Sequence, residues 1–322
     1  MRADSMRIVV TGASGLLGLN LCLEWRSHHD VLGVAGSNVL DVDDVPFIAA
    51  NLATFDPDAL LTPLAPDAVV HCGALASVDR CEEDPELARV VNTEAPRNIA
   101  RWCARNGVAM VHISTDAVFD GREGGYRESD RPNPINEYGK TKLAGEEAVL
   151  STHPDAFIAR LNLFGWSRSG ARSLVEYFLR KLENSETSNG FTDIRFSPLL
   201  VNDIAHLLDP PRIQHLSGVW HVASHDAMSK HAFGCEVATT FGYDVDLVLP
   251  ATSESVPMLA SRPKDTSLNC AAFQGAIGRS MPTIREGLNR LKTLDQTGFR
   301  TSLRKIGTRT EMSAHGMFGL VD

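Results

Sequence analysis

Short apolar runs alternate with helix-length amphipathic stretches through the first half of the chain. The β-branched run at residues 7–11 leads into a helical pattern at 19–25, and further runs of this kind end at polar or small residues. Apolar runs of strand length separated by helical periodicity predict a parallel sheet with helices on both faces. The predicted strands are residues 7–11, 31–35, 46–51, 68–74, 108–113 and 157–162.

The alternation loosens after residue 164, and this change predicts the domain organisation. We expect an α/β fold in which residues 6–164 form a doubly wound parallel sheet of Rossmann type. Residues 165–292 are richer in turns, and we assign them to a smaller C-terminal substrate lobe with segments that return to the main sheet. Residues 293–322 lose apolar periodicity and are expected to form a flexible tail.

A glycine-rich turn follows the first predicted strand. Gly12, Gly15 and Gly18 stand at the strand-to-helix junction, where they permit a tight turn, close approach of a pyrophosphate and close packing of helix on strand. Amide groups at the start of the helix then face the phosphate charge. This pattern predicts a dinucleotide site.

The end of the second predicted strand bears on which dinucleotide is bound. Ala35, Gly36, Ser37 and Asn38 stand where a carboxylate would bind the ribose 2′-hydroxyl of NAD. Because no carboxylate is there to repel a 2′-phosphate, we expect NADP, with NAD as an alternative cofactor. No arginine stands there to bind the phosphate, so the preference should be modest.

Tyr138 and Lys142 lie four residues apart at the start of a predicted helix, so their side chains share one face. A neighbouring ammonium favours a phenolate, so the spacing fits proton transfer by Tyr138 with a lowered pKa. An exposed amphipathic helix would carry the same pair by chance, and the spacing alone leaves that alternative open.

Composition and charge exclude several classes of function. Hydrophobic content of 43% and charged content of 22% are ordinary for a globular protein, and no apolar run is long enough to span a membrane. A net charge of −9 argues against a general nucleic-acid binder or an anionic-membrane binder. The six cysteines form no C-x-x-C pair and the histidines show no metal-ligand spacing, so we expect free thiols, no metal site and a cytoplasmic protein.

Together these residues resemble the extended short-chain dehydrogenase/reductase superfamily. Residues 114–121 (STDAVFDG) are similar to the S-T-D-Y-V-F-D-G stretch of the dTDP-4-dehydrorhamnose reductases. Further similar stretches are residues 78–82, Asn92, residues 134–142 and residues 262–268. The resemblance extends from residue 7 to about residue 291.

The resemblance implies reduction of a nucleotide-linked 4-keto sugar by NADPH, with Thr115, Tyr138 and Lys142 as catalytic residues. Tyr138 would donate a proton to the keto oxygen, Thr115 would orient the carbonyl, and Lys142 would lower the Tyr138 pKa and hold the nicotinamide ribose. The predicted cofactor-binding residues are Gly12, Ser14, Gly15, Leu16, Leu17, Gly18, Ser37, Asn51, Leu52, Cys72, Gly73, Ala74, Asn92, Ser114, Tyr138 and Lys142. The predicted substrate-binding residues are Val78, Asp116, Ala117, Asn162, Phe164 and Trp166. A homodimer is left open.

Two departures from the reductase pattern put the substrate in doubt. Ala117 replaces the usual tyrosine, and residues 161–166 differ from the usual R-T-S-W-V-Y-G, although Phe164 or Trp166 could stack on a sugar or lie in the core. Dehydration is disfavoured because Ala117 follows Thr115-Asp116 where dehydratases have glutamate. An epimerase remains an alternative, as does a non-catalytic NADP-binding regulatory subunit resembling the methionine adenosyltransferase beta subunit.

Overall fold

The computed structural model describes residues 5–37, 39–255 and 259–308. The strands are β1 (Arg7–Thr11), β2 (Asp30–Ala35), β3 (Phe47–Ala49), β4 (Ala68–His71), β5 (Ala109–Thr115), β6 (Phe157–Leu161), β7 (Leu163–Phe164), β8 (Ser188–Phe191), β9 (Arg195–Phe196), β10 (Leu199–Leu200), β11 (Gly218–His221), β12 (Met228–Ser229) and β13 (Val248–Ala251). The helices are α1 (Leu16–Trp25), α2 (Pro57–Leu61), α3 (Val78–Glu83), α4 (Pro85–Arg89), α5 (Ala95–Asn106), α6 (Glu137–Thr152), α7 (Leu174–Glu183), α8 (Val201–Leu207), α9 (Pro210–Ile213), α10 (Lys230–Phe241), α11 (Ala271–Ile277), α12 (Ile284–Gln296) and α13 (Phe299–Lys305).

Seven parallel strands form the main sheet, in the order β11-β6-β5-β4-β1-β2-β3. The chain starts in the middle at β1, runs to one edge through β3, and then returns to build the other edge from β4. The predicted α/β doubly wound fold is therefore confirmed. In such a sheet the strand order reverses between β1 and β4, and ligands bind beyond the carboxyl ends of the strands there.

Alternate residues of the central strands enter two separate apolar clusters, one on each face of the sheet. Ile8 and Val10 pack into the cluster that also holds residues of α1 and α8, whereas Val9 packs with residues of α5 and α6. Successive side chains of a strand point to opposite faces, so both faces must be covered by helices. This is why the strands read as continuous apolar runs.

Some residues after 164 belong to the main sheet and its helices, and the others form a C-terminal lobe outside that sheet. Strand β11 adds the seventh strand beside β6, and α8 packs on α1, where the Trp25 indole donates to the carbonyl of Ala205 at 3.0 Å. Short strand pairs β10-β7, β12-β9 and β13-β8 lie outside the main sheet.

The expectation of a flexible tail from residue 293 is wrong for residues 293–305. These residues complete α12 and form α13, which docks through buried Leu303 and through the Arg300 guanidinium, 4.4 Å from the centre of the Trp166 ring. Phe299, Leu303 and Ile306 stand at helical spacing and pack on the core, so the sequence carried an apolar signal for α13, whereas it carried none for the stacking of Arg300 on Trp166. The expectation for residues 309–322 lies outside the described residues.

Glu146 and Arg160 form a buried ion pair between α6 and β6. The Arg160 Nη2 donates to Glu146 Oε2 at 2.7 Å and Nε donates to Oε1 at 3.0 Å, with 5% and 2% of the two side chains exposed. The Ser114 hydroxyl at the end of β5 also donates to Glu146. One carboxylate therefore fixes the spacing of a helix and two strands.

We predict that Glu146→Gln lowers the free energy of unfolding by about 3 kcal/mol, because it leaves the Arg160 charge buried without its counter-charge. The matched control is Glu147→Gln, one residue along the same helix, where the side chain is exposed and the change should stay within about 0.5 kcal/mol. Urea unfolding followed by circular dichroism measures both. Equal losses in the two variants would contradict this account of the ion pair.

Candidate active site

A cleft of about 1510 Å³ runs along the carboxyl edge of the main sheet and under the C-terminal lobe. Its sheet side includes residues that follow β1, β2, β4, β5 and β6. Its lobe side includes residues that come from separate segments of the lobe, namely Arg172, Ile194, Phe196, Lys230, Arg262, Pro263 and Thr266.

The glycine turn at one end of the cleft is shaped for a dinucleotide. Gly12 has φ of +66°, and a Cβ there would lie 2.6 Å from the backbone nitrogen of Gly73. A Cβ on Gly18 would lie 2.5 Å from the carbonyl oxygen of Gly12, so α1 starts tightly against the turn. Ser14, Gly15, Leu16 and Leu17 line the cleft at the start of α1, where unpaired amides favour an anion.

The neighbouring section of the cleft is small and uncharged. Ala35, Gly36 and Ser37 line it at the end of β2, and Asn51 and Leu52 face the same section. Cys72, Gly73 and Ala74 continue the lining after β4. This section is called the ribose end, because the sequence predicts that residues 35–38 stand beside the ribose of the cofactor. Asn38, the last of these four residues, lies outside the described residues.

Thr115 and Tyr138 meet in the middle of the cleft. Both side chains line the cleft, and the Thr115 hydroxyl accepts from the amide of Ala117 at 3.1 Å. Tyr138 enters from the first turn of α6, which Asn136 caps by accepting from the amide of Gly139 at 2.8 Å. Burial raises the pKa of Tyr138 to about 12, although the neighbouring Thr115 hydroxyl acts in the opposite direction. The expectation of a lowered Tyr138 pKa is therefore wrong.

Lys142 lines the cleft but directs its ammonium to β5. Its Nζ donates to the carbonyl of Ile113 at 2.7 Å and lies 3.3 Å from Nε2 of His112. Burial lowers the pKa of Lys142 to about 8, against the opposite effect of the Glu146 charge. Because the pKa of Tyr138 is about 12 and that of Lys142, although lowered by desolvation, is still about 8, the phenol and the ammonium are the main states of this site at neutral pH.

Asp116 joins the two sides of the cleft. Its carboxylate accepts from Nδ2 of Asn162 at 2.9 Å and from the hydroxyl of Thr266 at 2.7 Å, and Thr115 donates to it at 3.1 Å. Burial raises the pKa of Asp116 despite these hydrogen bonds. Because every described oxygen of this carboxylate is engaged, Asp116 ties the end of β5 to the lobe.

Three predicted ligand-contacting residues do not line the cleft. Phe164 and Trp166 are 1% and 0% exposed and belong to the apolar core, where the Trp166 indole donates to the carbonyl of Leu291. Of the two alternatives left open by the sequence, the core position holds for both, and their predicted role in substrate binding is wrong. Alternation along β7 turns Leu163 to the cleft and Phe164 to the core. Asn92 is also buried, and its amide bonds both backbone groups of Leu75, so it holds the loop after β4 rather than the cofactor.

The other predicted site residues line the cleft, including Val78, Ala117 and Ser114. Sequence reasoning missed the lobe cations. Arg262 and Thr266 lie in the stretch 262–268 that carries the family resemblance, so a signal for them was present. Arg172 and Lys230 stand alone in turn-rich sequence, and only folding brings them to the cleft.

Charge in the cleft differs in sign from charge in the whole chain. Among the described residues that line it, Lys142, Arg172, Lys230 and Arg262 are cationic, and Asp116 is the sole acid. The Arg262 Nη2 donates to Asp79 at 3.0 Å, while its buried Nη1 has no hydrogen-bond partner among the described residues. This side of the cleft therefore favours an anion.

In the ranges that the structure describes, residues 5–37, 39–255 and 259–308, no group of three or more histidine, cysteine, aspartate or glutamate side chains could hold a metal ion. No helix in those ranges has the length and apolar character needed to cross a bilayer.

The chain is similar in sequence both to a protein described as a reductase and to proteins described as a subunit of methionine adenosyltransferase. It is 33% identical to the probable low-salt glycan biosynthesis reductase Agl14 of Haloferax volcanii over 89% of this chain and 97% of that protein. It is 32% identical to methionine adenosyltransferase 2 subunit beta of Xenopus tropicalis over 88% of this chain and 87% of that protein.

A solved structure shares the fold. The dTDP-4-dehydrorhamnose reductase of Bacillus anthracis, in complex with NADP, superposes with a TM-score of 0.80 at 28% identity, covering 90% of this chain and 99% of that one. The family model for the RmlD substrate binding domain matches residues 6–296. This match takes in both the glycine turn and the Thr115, Tyr138 and Lys142 cluster, and the chain belongs to the RmlD substrate-binding domain family.

Proposed function

We propose that this protein is an NADP-dependent reductase of a nucleotide-linked 4-keto sugar. The observation that carries the proposal is that Thr115 and Tyr138 line the same cleft as the glycine turn and the lobe cations Arg172, Lys230 and Arg262. A keto group bound at Tyr138 would thus have space for a nicotinamide on one side and for a nucleoside diphosphate on the other.

The cofactor proposal rests on the glycine turn and the uncharged ribose end. Backbone atoms approach so closely at Gly12 and Gly18 that no side chain fits, which leaves the amides at the start of α1 open to a pyrophosphate. Ser37 lines the ribose end without a carboxylate beside it among the described lining residues, which suits NADP and tolerates NAD. The NADP complex of the Bacillus anthracis protein supports the same choice.

In the reaction NADPH would supply the hydride, and the protein would supply a proton and hold the substrate. Tyr138 would donate its phenolic proton to the keto oxygen, and its raised pKa keeps that proton in place at neutral pH until the oxygen becomes basic. Thr115 would orient the same oxygen. The Lys142 ammonium would stabilise the phenolate that remains.

The substrate proposal rests on charge and on the shape of the sugar end. Arg172, Lys230 and Arg262 would bind the diphosphate of a nucleotide sugar. Ala117 lines the cleft where the reductases have a tyrosine, and Leu163 lines it nearby, so the ring of that tyrosine is missing. The resulting space favours a sugar bulkier than 4-dehydrorhamnose.

A second candidate is a non-catalytic regulatory subunit, because the chain is 32% identical to methionine adenosyltransferase 2 subunit beta. It would use the same glycine turn to bind NADP. Turnover of a keto sugar separates the two candidates.

The first prediction from the proposed function concerns the cofactor. Gly18→Ala should weaken NADPH binding at least tenfold, because the new methyl would displace α1 from the glycine turn, and it should destabilise the fold by about 1–3 kcal/mol. Gly275→Ala is the control, since a Cβ there meets no atom within 4 Å. NADPH fluorescence titration measures binding, and unchanged affinity in Gly18→Ala would exclude this site.

The second prediction tests the function itself. Purified protein should oxidise NADPH with at least one member of a panel of dTDP- and UDP-linked 4-keto sugars, and NADH should serve less well. Sugars bulkier than dTDP-4-dehydrorhamnose should react faster because Ala117 leaves the space that a tyrosine ring fills in the reductases. Absence of turnover with every sugar, together with NADPH binding, would favour the regulatory subunit.

The third prediction concerns the acid. Tyr138→Phe should lower turnover by a factor on the order of 10² or more while NADPH affinity stays within about twofold, since only the transferred proton is lost. The measurement is kcat on the sugar accepted by the wild-type protein. Retention of near wild-type kcat would show that another group is the acid.

A further inference from the structure

Two buried histidines lie behind Lys142, and the mechanism above does not use them. Thr11, His71 and His112 occupy the same register on β1, β4 and β5. The two imidazoles are 1% and 0% exposed and stack with their centres 5.3 Å apart. Nδ1 of His71 is 2.6 Å from the Thr11 hydroxyl, whereas Nε2 of His112 faces the Lys142 ammonium at 3.3 Å.

The chemistry of these groups determines which of them donates. A lysine ammonium has three protons and no acceptor, so it can bond His112 only if Nε2 carries a lone pair. Burial and the Lys142 charge hold the pKa of His112 well below its usual range, and burial lowers that of His71 to about 3. Both rings are therefore neutral at physiological pH, and neither competes with Lys142 for charge.

We propose that His112 is a positioning residue for Lys142. As a neutral ring protonated on Nδ1, it accepts a hydrogen bond from the ammonium, and the Ile113 carbonyl accepts a second. Two of the three Lys142 protons are then bound to β5, which leaves one directed to the cleft. The effect on turnover rests on the proposed reductase function, but the proton positions do not.

The environment of Lys142 shows what His112 contributes. Desolvation has the largest effect on the Lys142 pKa, and it disfavours the ammonium. Glu146 on the same helix and Cys72 after β4 act in the opposite direction and favour the ammonium. Tyr138 stands one turn away on α6, and His71 lies behind His112. A hydrogen bond from the ammonium to His112 stabilises the charged form, so its loss lowers the Lys142 pKa further below about 8.

The first test reads the proton positions without any substrate. Long-range ¹H–¹⁵N spectra of protein labelled in histidine should show His112 neutral, protonated on Nδ1 and free on Nε2, between pH 6 and pH 7.5. His112→Gln identifies the resonances by their loss. A proton on Nε2, or an imidazolium at pH 7, would overturn the proposal.

The second test reads the pH dependence. Reductase turnover needs the Lys142 ammonium, so in the wild type it should fall as pH rises through about 8. His112→Leu should move this fall to lower pH by about one unit, because the ammonium loses a hydrogen bond that stabilises its charge. On the alkaline side this shift corresponds to a turnover rate about tenfold below that of the wild type. His112→Gln places a carbonyl oxygen near the position of Nε2. In this variant the fall in turnover should therefore return most of the way to its wild-type pH.

A control separates positioning from general damage to the core. His221→Leu also removes a buried imidazole, one whose Nδ1 lies 2.9 Å from the Tyr126 carbonyl and which is not among the hydrogen-bond partners of the Lys142 ammonium, His112 and Ile113. It should lower stability without moving the alkaline fall. Equal shifts in His112→Leu and His221→Leu would overturn the proposal.

The same shift can be measured when no sugar is turned over. The ¹³Cε resonance of Lys142 in lysine-labelled protein gives its pKa directly, and that pKa should fall by about one unit in His112→Leu. A shift without turnover supports the role of His112 and rejects the reductase function. Turnover without the shift supports the reductase function and rejects the role of His112.

Discussion

The buried carboxylate of Glu146 is the constraint on which the site depends. It binds the Arg160 guanidinium on β6 and the Ser114 hydroxyl on β5, and its charge favours the ammonium of Lys142 on its own helix. The same helix carries Tyr138 two turns earlier. Because α6 carries both Tyr138 and Lys142, the hydrogen bonds of Glu146 fix the position of these two residues relative to β5 and β6. The ion pair stabilises little by itself against its desolvation, but breaking it would move the site.

Burial sets the protonation of Tyr138 and Lys142 more than their mutual attraction does. The phenol of Tyr138 and the ammonium of Lys142 are displaced in opposite directions, to pKa values of about 12 and about 8, and desolvation is the largest cause in both. A site in this state is prepared to give a proton rather than to take one. That direction suits the reduction of a ketone, in which negative charge develops on oxygen.

The lobe supplies what the sheet lacks. The glycine turn and the strand ends present backbone amides and small side chains, whereas the cations Arg172, Lys230 and Arg262 come from three separate segments of the lobe. Asp116 connects the two parts through Asn162 and Thr266. A cleft with cations on one side can bind an anionic substrate even though the chain carries a net charge of −9.

The sequence by itself determined the fold class, the glycine turn and the Tyr138–Lys142 spacing, because each depends on contacts close together in the chain. Strand runs, glycine positions and helix periodicity are local, and the family stretch at residues 114–121 is contiguous. Tertiary structure decided the rest. Which face of β7 meets the cleft, and so whether Leu163 or Phe164 contacts a sugar, follows from pairing with β10. The raised pKa of Tyr138, the hydrogen bonds of Lys142 to β5 and the docking of α13 on Trp166 all arise from burial between segments distant in sequence, and no local pattern encodes that burial.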